Sequence, residues 1–448
     1  MQKTIVALAT PPGTSGLAVI RISGEDAFSI ADKVFHGKHT INESDSHKIL
    51  YGKIKDNDEL VDTVTAFIYR SPNSYTGEDV VEFGCHGGRI VYSKIIDLLV
   101  EKGAHYAEAG DFTKRAFLNG KLDLTQVEAV ADLIHSMSEP GTQTAARQLN
   151  GEFKKRLEQL RQQLLDISGL LELELDFAEE DLEFVERERI KNKITETKDF
   201  CLNLANSYSS AEILRSGYFV GIAGFPNSGK STLFNALLDH KRAIVSEIPG
   251  TTRDYLEETI MLDGIAVKII DTAGLREARD IIEIEGIKLV ESVLEQSNMI
   301  CVLNDVTEGA DHSNQLVEKL NKQFPKTKIL LLQNKIDLSG SPDEIDGDLK
   351  ISATDKTNLD KLKSIIAEDA KQSTERVSDI LINSRHSRLL KEAANSLEIA
   401  LEGIETGMEN EIVAIDIRKA TKILGEITGE EWNEEVLANI FSRFCIGK

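Results

Sequence analysis

The residues best suited to chemistry are Gly224-Phe225-Pro226-Asn227-Ser228-Gly229-Lys230-Ser231, which fit the phosphate-loop pattern G-x-x-x-x-G-K-[ST]. Glycines let backbone N–H groups approach phosphate oxygens, and the start of a helix adds positive partial charge. Lys230 would reach the β- and γ-phosphates and Ser231 would hold Mg²⁺, with Ser228, Gly229 and Thr232 completing the contacts. The setting is the required one: an apolar strand-like run at 218–223 leads in, and a helix-like run at 231–238 leads out.

Three later segments extend the pattern. Asp271-Thr272-Ala273-Gly274 follows a strand-like run, where the Asp can hold Mg²⁺ through water and the Gly274 N–H can meet the γ-phosphate. Asn334-Lys335-Ile336-Asp337 follows another. The Asp337 carboxylate there can accept two hydrogen bonds from the N–H and amino edge of guanine, which adenine cannot supply. Ser352-Ala353-Thr354 would close over the base. In this order the set resembles the translation-factor class of GTPases and points to GTP rather than ATP.

These motifs need elements to hold them, and the chain is long enough to supply two or three domains. It has 448 residues and a net charge of −23. So acidic a chain does not bind nucleic acid through its overall field, so any RNA contact needs a local basic patch or a partner. Cys85, Cys201, Cys301 and Cys445 form no C-x-x-C pair and read as reduced thiols in a cytoplasmic protein. No apolar run approaches the roughly 18 residues of a membrane span, so no membrane association is expected. The apolar start at 4–10 meets Pro11-Pro12 and reads as a first strand rather than a signal peptide.

Residues 1–120 alternate strand-like and helix-like runs, a small α+β domain with 13 Lys and Arg against 16 Asp and Glu. From about Leu122 the pattern becomes helical. Leu149, Phe153, Leu157, Leu160, Leu164, Ile167 and Leu171 step by three and four along one long amphipathic helix. Residues 379–448 are helical again. Neither helical piece makes a core alone, so the economical division is 1–120, 121–216, 217–378 and 379–448. In fold class, an α/β P-loop GTPase domain (217–378) is inserted into an α-helical domain and preceded by an α+β domain. The acidic run 172–188 has no metal-ligand spacing and reads as a solvated face or loop.

The GTPase segment departs from the common small-GTPase design in three ways. Leu275 stands where many GTPases place a water-orienting Gln, so another polar group must do that work. Thr252, in Ser246-Glu247-Ile248-Pro249-Gly250-Thr251-Thr252-Arg253-Asp254, can supply a second protein oxygen to Mg²⁺. Asn227 inside the phosphate loop is either a turn residue or, with backbone carbonyls of 246–251, a ligand for a monovalent cation. Such a cation would take the part of an arginine finger, worth roughly 10³–10⁵ in rate.

With these residues in place, the chain resembles the MnmE (TrmE) family of GTPases that modify the tRNA wobble uridine. The likeness runs through Ala9-Thr10-Pro11-Pro12-Gly13, Arg21-Ile22-Ser23-Gly24, Thr76-Gly77-Glu78-Asp79, His86-Gly87-Gly88 and Arg115-Ala116-Phe117-Leu118-Asn119-Gly120-Lys121. It continues through Gly250-Thr251-Thr252-Arg253-Asp254 and Asp271-Thr272-Ala273-Gly274-Leu275 to the ending Phe444-Cys445-Ile446-Gly447-Lys448.

The resemblance implies a homodimer formed through the N-terminal domain. It implies an FAD-dependent partner, MnmG, in a heterotetramer or larger assembly, with tRNA contacted largely through that partner. The two together would place an aminomethyl or carboxymethylaminomethyl group on carbon five of the uridine, using a one-carbon tetrahydrofolate. It assigns folate binding to Arg21, Glu82, Lys121 and Lys448, potassium to Asn227, Ser246, Ile248 and Thr251, and Mg²⁺ to Ser231 and Thr252. Glu283 becomes the residue that orients water. Cys445 is open between a buried packing cysteine and a thiol at the folate site. Two rival functions are a ribosome-assembly GTPase, which needs a basic RNA-binding module that is not evident outside 217–378, and a purely regulatory GTPase.

Overall fold

Alternating side chains build the first sheet of the computed structural model, which describes residues 3–176, 187–238, 257–271, 291–309, 311–338, 347–375, 379–442 and 444–448. The strands are β1 (Ile5–Leu8), β2 (Ser15–Ser23), β3 (Phe35–Gly37), β4 (Lys48–Asp56), β5 (Glu59–Tyr69), β6 (Val80–Gly87) and β7 (His105–Tyr106). They lie in the order β3-β4-β5-β6-β2-β1-β7, with β1 and β7 parallel and the other neighbours antiparallel. In β5 the alternate residues Val64, Ala66 and Ile68 turn inward. They join Ile20, Ile22, Ile54 and Phe83 beneath the helices Ala27–Asp32 and Arg89–Glu101, which contribute Phe28, Ile95 and Leu99. Arg21 and Glu82 alternate with these inward residues and stand directly opposite each other in the β2–β6 register.

The helical pieces pair as their periodicity requires, with one correction: Leu149 ends the helix Glu139–Leu149, and Gly151 at φ +86° breaks the chain before the next helix, so the single helix expected through Leu149 is two. The helix Glu152–Asp176 buries Leu157, Leu160, Leu164 and Ile167 and packs on the helix Asn410–Thr428, which buries Val413, Ile417 and Leu424. Arg161 donates to the carbonyl of Thr421 at 3.2 Å and pairs with Glu430. Pro140 and Gly141 fall in the first turn of the helix Glu139–Leu149, where proline costs no hydrogen bond. The final helix, Glu434–Phe441, packs Leu437, Ile440 and Phe441 on Phe117, Leu124 and Val127.

The second sheet comprises β8 (Tyr218–Gly224), β9 (Glu257–Leu262), β10 (Ile265–Asp271), β11 (Met299–Asp305), β12 (Lys328–Asn334) and β13 (Leu349–Lys350). Its order is β13-β12-β11-β8-β10-β9, parallel except for β9. The parallel strands β8, β10, β11 and β12 are covered on both faces and are largely apolar rather than alternating, whereas the antiparallel edge strand β9 carries Glu257, Glu258 and Thr259 and is mostly half-exposed. Val220, Ile222, Cys301 and Leu303 pack with the helices Lys230–Leu237 and Leu359–Thr374, whereas Ala223, Ile300 and Val302 pack with Leu320 of the helix Asp311–Gln323. The central strand β8 lies between β10 and β11, where the order of connection reverses. In open parallel sheets ligands bind outside the carboxyl ends at such a point.

The chain divides into two compact units. One is Met1–Ala131, Ala146–Cys201 and Leu389–Lys448; the other is Asp132–Ala145 and Leu202–Arg388. Within the second, Arg215 holds Asp132 through Nε at 2.5 Å and Nη2 at 2.8 Å. Its Nη1 also meets the carbonyl of Ile382 at 3.5 Å, so the chain entering the α/β segment is tied to the chain leaving it. Among the described residues no helix is long and apolar enough to cross a membrane.

Candidate functional site

The phosphate loop is shaped by backbone conformations that few residues adopt. Gly224 sits at φ +147°, and a Cβ there would lie 2.6 Å from the carbonyl oxygen of Leu303. Gly229 sits at φ +96°, and a Cβ would lie 2.3 Å from Nδ2 of Asn334. Asn227 is also left-handed, at φ +63°, and exposed. Lys230 donates to the carbonyls of Gly224 at 3.1 Å and Phe225 at 2.8 Å, so its ammonium closes the loop it belongs to. Ser231 Oγ donates to Asp271 Oδ2 at 2.9 Å, and Asp271 is fully buried at the carboxyl end of β10. Two oxygens suited to a hard cation thus meet beside the loop's ammonium. Ser228 Oγ is buried without a hydrogen-bond partner, a donor left for a ligand at the loop. The Lys230 ammonium, the orphaned Ser228 hydroxyl and the Ser231–Asp271 oxygen pair together fit a phosphate–Mg²⁺ ligand.

Asn334 joins the other motifs to this loop. Its Nδ2 donates to the carbonyl of Ser228 at 2.9 Å, and its Oδ1 accepts from the N–H of Ala353 at 3.0 Å. Ser352 is buried, its hydroxyl accepting from the Asp355 N–H at 3.1 Å. Asp337, in the short turn Ile336–Leu338, and Thr354 are exposed.

Sequence reading missed the groups behind this assembly. Asn304 and Asp305 end the apolar strand β11 with two buried polar residues, and that change of character was the available signal. Asn304 donates to Gln333 Oε1 at 2.8 Å and accepts from Ser313 Oγ at 2.7 Å. Asp305 takes the ammonium of Lys335 at 2.5 Å. Of the other predicted positions, Ser246, Ile248, Thr251, Thr252, Thr272, Ala273, Gly274 and Glu283 lie outside the described residues.

A second cluster lies on the first sheet. Arg21 Nε donates to Glu82 Oε1 at 2.7 Å, with the guanidinium 5.4 Å from the Tyr75 ring centre and 5.5 Å from that of Phe112. The chain's end reaches the same place. Arg21 Nη1 meets the carbonyl of Gly447, and the carbonyl of Lys448 accepts from the N–H of Phe112 at 3.2 Å. Burial, and then the Arg21 charge, pull the Lys448 ammonium below the ordinary lysine range, while Glu82 opposes them. Arg21, Glu82 and Lys448 therefore form one charge cluster. Lys121 is exposed, its Nζ donating to the carbonyl of Pro72 at 3.0 Å. Cys445 is exposed, which removes the reading of it as a buried packing cysteine. Burial raises the other thiols, Cys85 to about 11 and Cys201 and Cys301 to about 12, so these are inert as thiolates.

The family motifs at 76–79 and 115–121 have a shared structural role. Arg115, nearly buried, donates to Glu78 at 2.8 Å and to the carbonyl of Lys3 at 2.6 Å, and Ser23 donates to Glu78 at 2.7 Å. This fixes the loop that carries Tyr75 to Arg21.

Comparison with known proteins matches both ends of the chain. The family described as GTP-binding protein TrmE N-terminus matches residues 4–121, and the MnmE helical domain matches residues 124–445. The protein of Christiangramia forsetii named tRNA modification GTPase MnmE is 40% identical, covering 100% of both chains. That of Flavobacterium psychrophilum, with the same name, is 42% identical over 99% of each. Among solved structures, the G domain of the T. maritima FeoB iron transporter is 25% identical over 34% of this chain and 98% of its own, with a TM-score of 0.27.

Proposed function

We propose a function for this chain from one premise: it belongs to the MnmE family of tRNA modification GTPases. The chain hydrolyses GTP, and the energy serves modification of the wobble uridine of certain tRNAs. Asp337 accepts hydrogen bonds from the guanine edge. Lys230 neutralises the β- and γ-phosphates, and Ser231, oriented by Asp271, offers its hydroxyl to Mg²⁺ together with Thr252. Asn227, Ser246, Ile248 and Thr251 hold potassium. Bound there, the two cations would supply fixed positive charge against the negative charge that builds on the phosphate oxygens during phosphoryl transfer. Glu283 orients the attacking water.

The second substrate is a one-carbon tetrahydrofolate, which supplies the carbon that reaches carbon five of the uridine. Glu82 suits the pterin's donor edge, and Arg21, Lys121 and Lys448 suit the carboxylates of the glutamate tail. The chain works in the cytoplasm as a homodimer with an FAD-dependent MnmG-type partner, through which most of the tRNA contact is made.

The observation that carries this reading is the C-terminal lysine brought against the Arg21–Glu82 pair. A purely regulatory GTPase has no use for a separate charged cluster built from both ends of its chain. Isothermal titration of the full chain with methylene-tetrahydrofolate is the test. Binding that survives saturation with GDP supports two separate sites; absence of binding returns the chain to the regulatory reading.

A further inference from the structure

Two polar residues end β11, and only one is used up by packing. Asn304 belongs to the buried chain from Ser313 to Gln333. Asp305 instead divides its carboxylate between its own turn, at Thr307, and the nucleotide motif, at Lys335. Its Oδ1 accepts from the Thr307 N–H at 3.0 Å and the Thr307 hydroxyl at 2.8 Å. Its Oδ2 accepts from Lys335 Nζ at 2.5 Å. The carboxylate side chain is 6% exposed and that of Lys335 is 30% exposed. Lys335 lies at φ +65°, a left-handed conformation that a lysine rarely adopts unless its surroundings hold it. Burial alone would raise the Asp305 pKa; the bonds from Lys335 and Thr307 outweigh it and keep the group ionised.

We propose that Asp305 is a positioning residue for the purine: it anchors the Lys335 ammonium, so that the lysine side chain beside Asn334 is ordered before a nucleotide arrives. This rests on the guanine-nucleotide reading of the site. A free lysine has many rotamers, and ordering it during binding would cost affinity. Asp305 removes that cost in advance. The methylene stem offers an apolar surface to any purine face, so Asp305 sets affinity but not the choice of base. Base choice belongs to Asp337, three residues from Asn334 and exposed. Thr307 completes the device by fixing the carboxylate with two hydrogen bonds.

The experiment is a double-mutant cycle on the full chain, titrating fluorescent GDP and IDP. Asp305→Asn should weaken both by about tenfold, the worth of one charge-assisted hydrogen bond. At saturating GTP, kcat should stay within about a factor of two of wild type, because the contact is equal in ground and transition states. Lys335→Met keeps the stem and removes the ammonium; in that background Asp305→Asn should cost nothing further. Thr307→Val, a milder change, should lower affinity in the same way and be silent in the Lys335→Met background. Equal losses in both backgrounds would mark Asp305 as part of the scaffold only and overturn the proposal. So would wild-type affinity in Asp305→Asn. A wild-type chain that bound no guanine nucleotide would overturn the site reading as well.

Discussion

Arg21 Nη1 donates to the carbonyl of Gly447 at 3.2 Å, joining residues 426 positions apart in the chain. Gly447 can be reached only because it has no side chain. It sits at φ +93°, and a Cβ would lie 2.1 Å from the carbonyl oxygen of Leu8. Gly447→Ala therefore meets both strain and a clash with backbone, at a cost of about 1–3 kcal/mol from the strain alone. The tail should leave, taking Lys448 from the Arg21–Glu82 pair. Calorimetry should show lost folate binding with GTP hydrolysis unchanged, as should Arg21→Ala or removal of Lys448. Loss of hydrolysis in these variants would mean the two sites are not separate.

Lys448 gives a pH dependence with a definite sign. Its pKa is lowered by burial first and by Arg21 second. The folded state thus binds this proton less tightly than the unfolded state. The penalty is fully present below the folded pKa and is relieved as pH rises from there towards the ordinary lysine value of 10.5. A ligand carboxylate reverses the shift, so folate binding in that window should take up a proton. Titration in buffers of differing ionisation enthalpy measures the uptake directly. It should vanish in Lys448→Arg, which keeps a cation for the ligand carboxylate but does not titrate in that window, and uptake that persisted there would assign the proton to another group.

Legibility in the sequence followed range. The phosphate loop and β8 were readable because pattern and setting lie within about twenty residues, as did the long helix at 152–176. β4 was not. Its inward positions are Leu50, Gly52 and Ile54, and the glycine interrupts the apolar alternation. Gly52 is there because a Cβ would lie 2.5 Å from the Phe35 ring, a contact from a neighbouring strand that no local pattern reveals. Asp305 is similar: its partner Lys335 is 30 residues away. The motif residues Asn334 and Lys335 could be named from the sequence, but what they hold could not.

Guanine selection should reside in Asp337. Asp337→Asn replaces an acceptor pair by an amide, which matches the altered edge of xanthine rather than guanine. GTP should bind more weakly and the xanthine nucleotide more tightly. Competition binding with both nucleotides is the measurement, and an unchanged GTP preference would remove the role.

Hydrolysis should depend on the monovalent cation. Asn227 stands exposed at φ +63° in the phosphate loop, with its side chain available to an ion. Rates should be high in potassium and low in sodium, since the smaller ion fits a ring of carbonyls less well. Asn227→Ala should flatten that response while GTP stays bound. Equal rates in the two salts for the unaltered chain would dismiss the ion site.

The orientation of water should fall to Glu283. Leu275 leaves the nucleophile without a side chain to orient it, and a cation stabilises charge without placing water. A polar residue after Gly274 must do so. The candidates are Arg276, Glu277, Arg279, Asp280, Glu283 and Glu285, and only the acids can accept a hydrogen bond from water. The family pattern selects Glu283 among them. Glu283→Ala should lower kcat by about 10²–10⁴, the usual worth of a positioned acid–base group. GTP affinity should barely change, because the interaction is made only near the transition state. Glu283→Gln, which keeps an acceptor oxygen, should recover part of the rate if orientation rather than proton removal is the function. Single-turnover hydrolysis measured beside nucleotide affinity decides it: a rate within a small factor of the unaltered chain would pass the role to another acid in this segment.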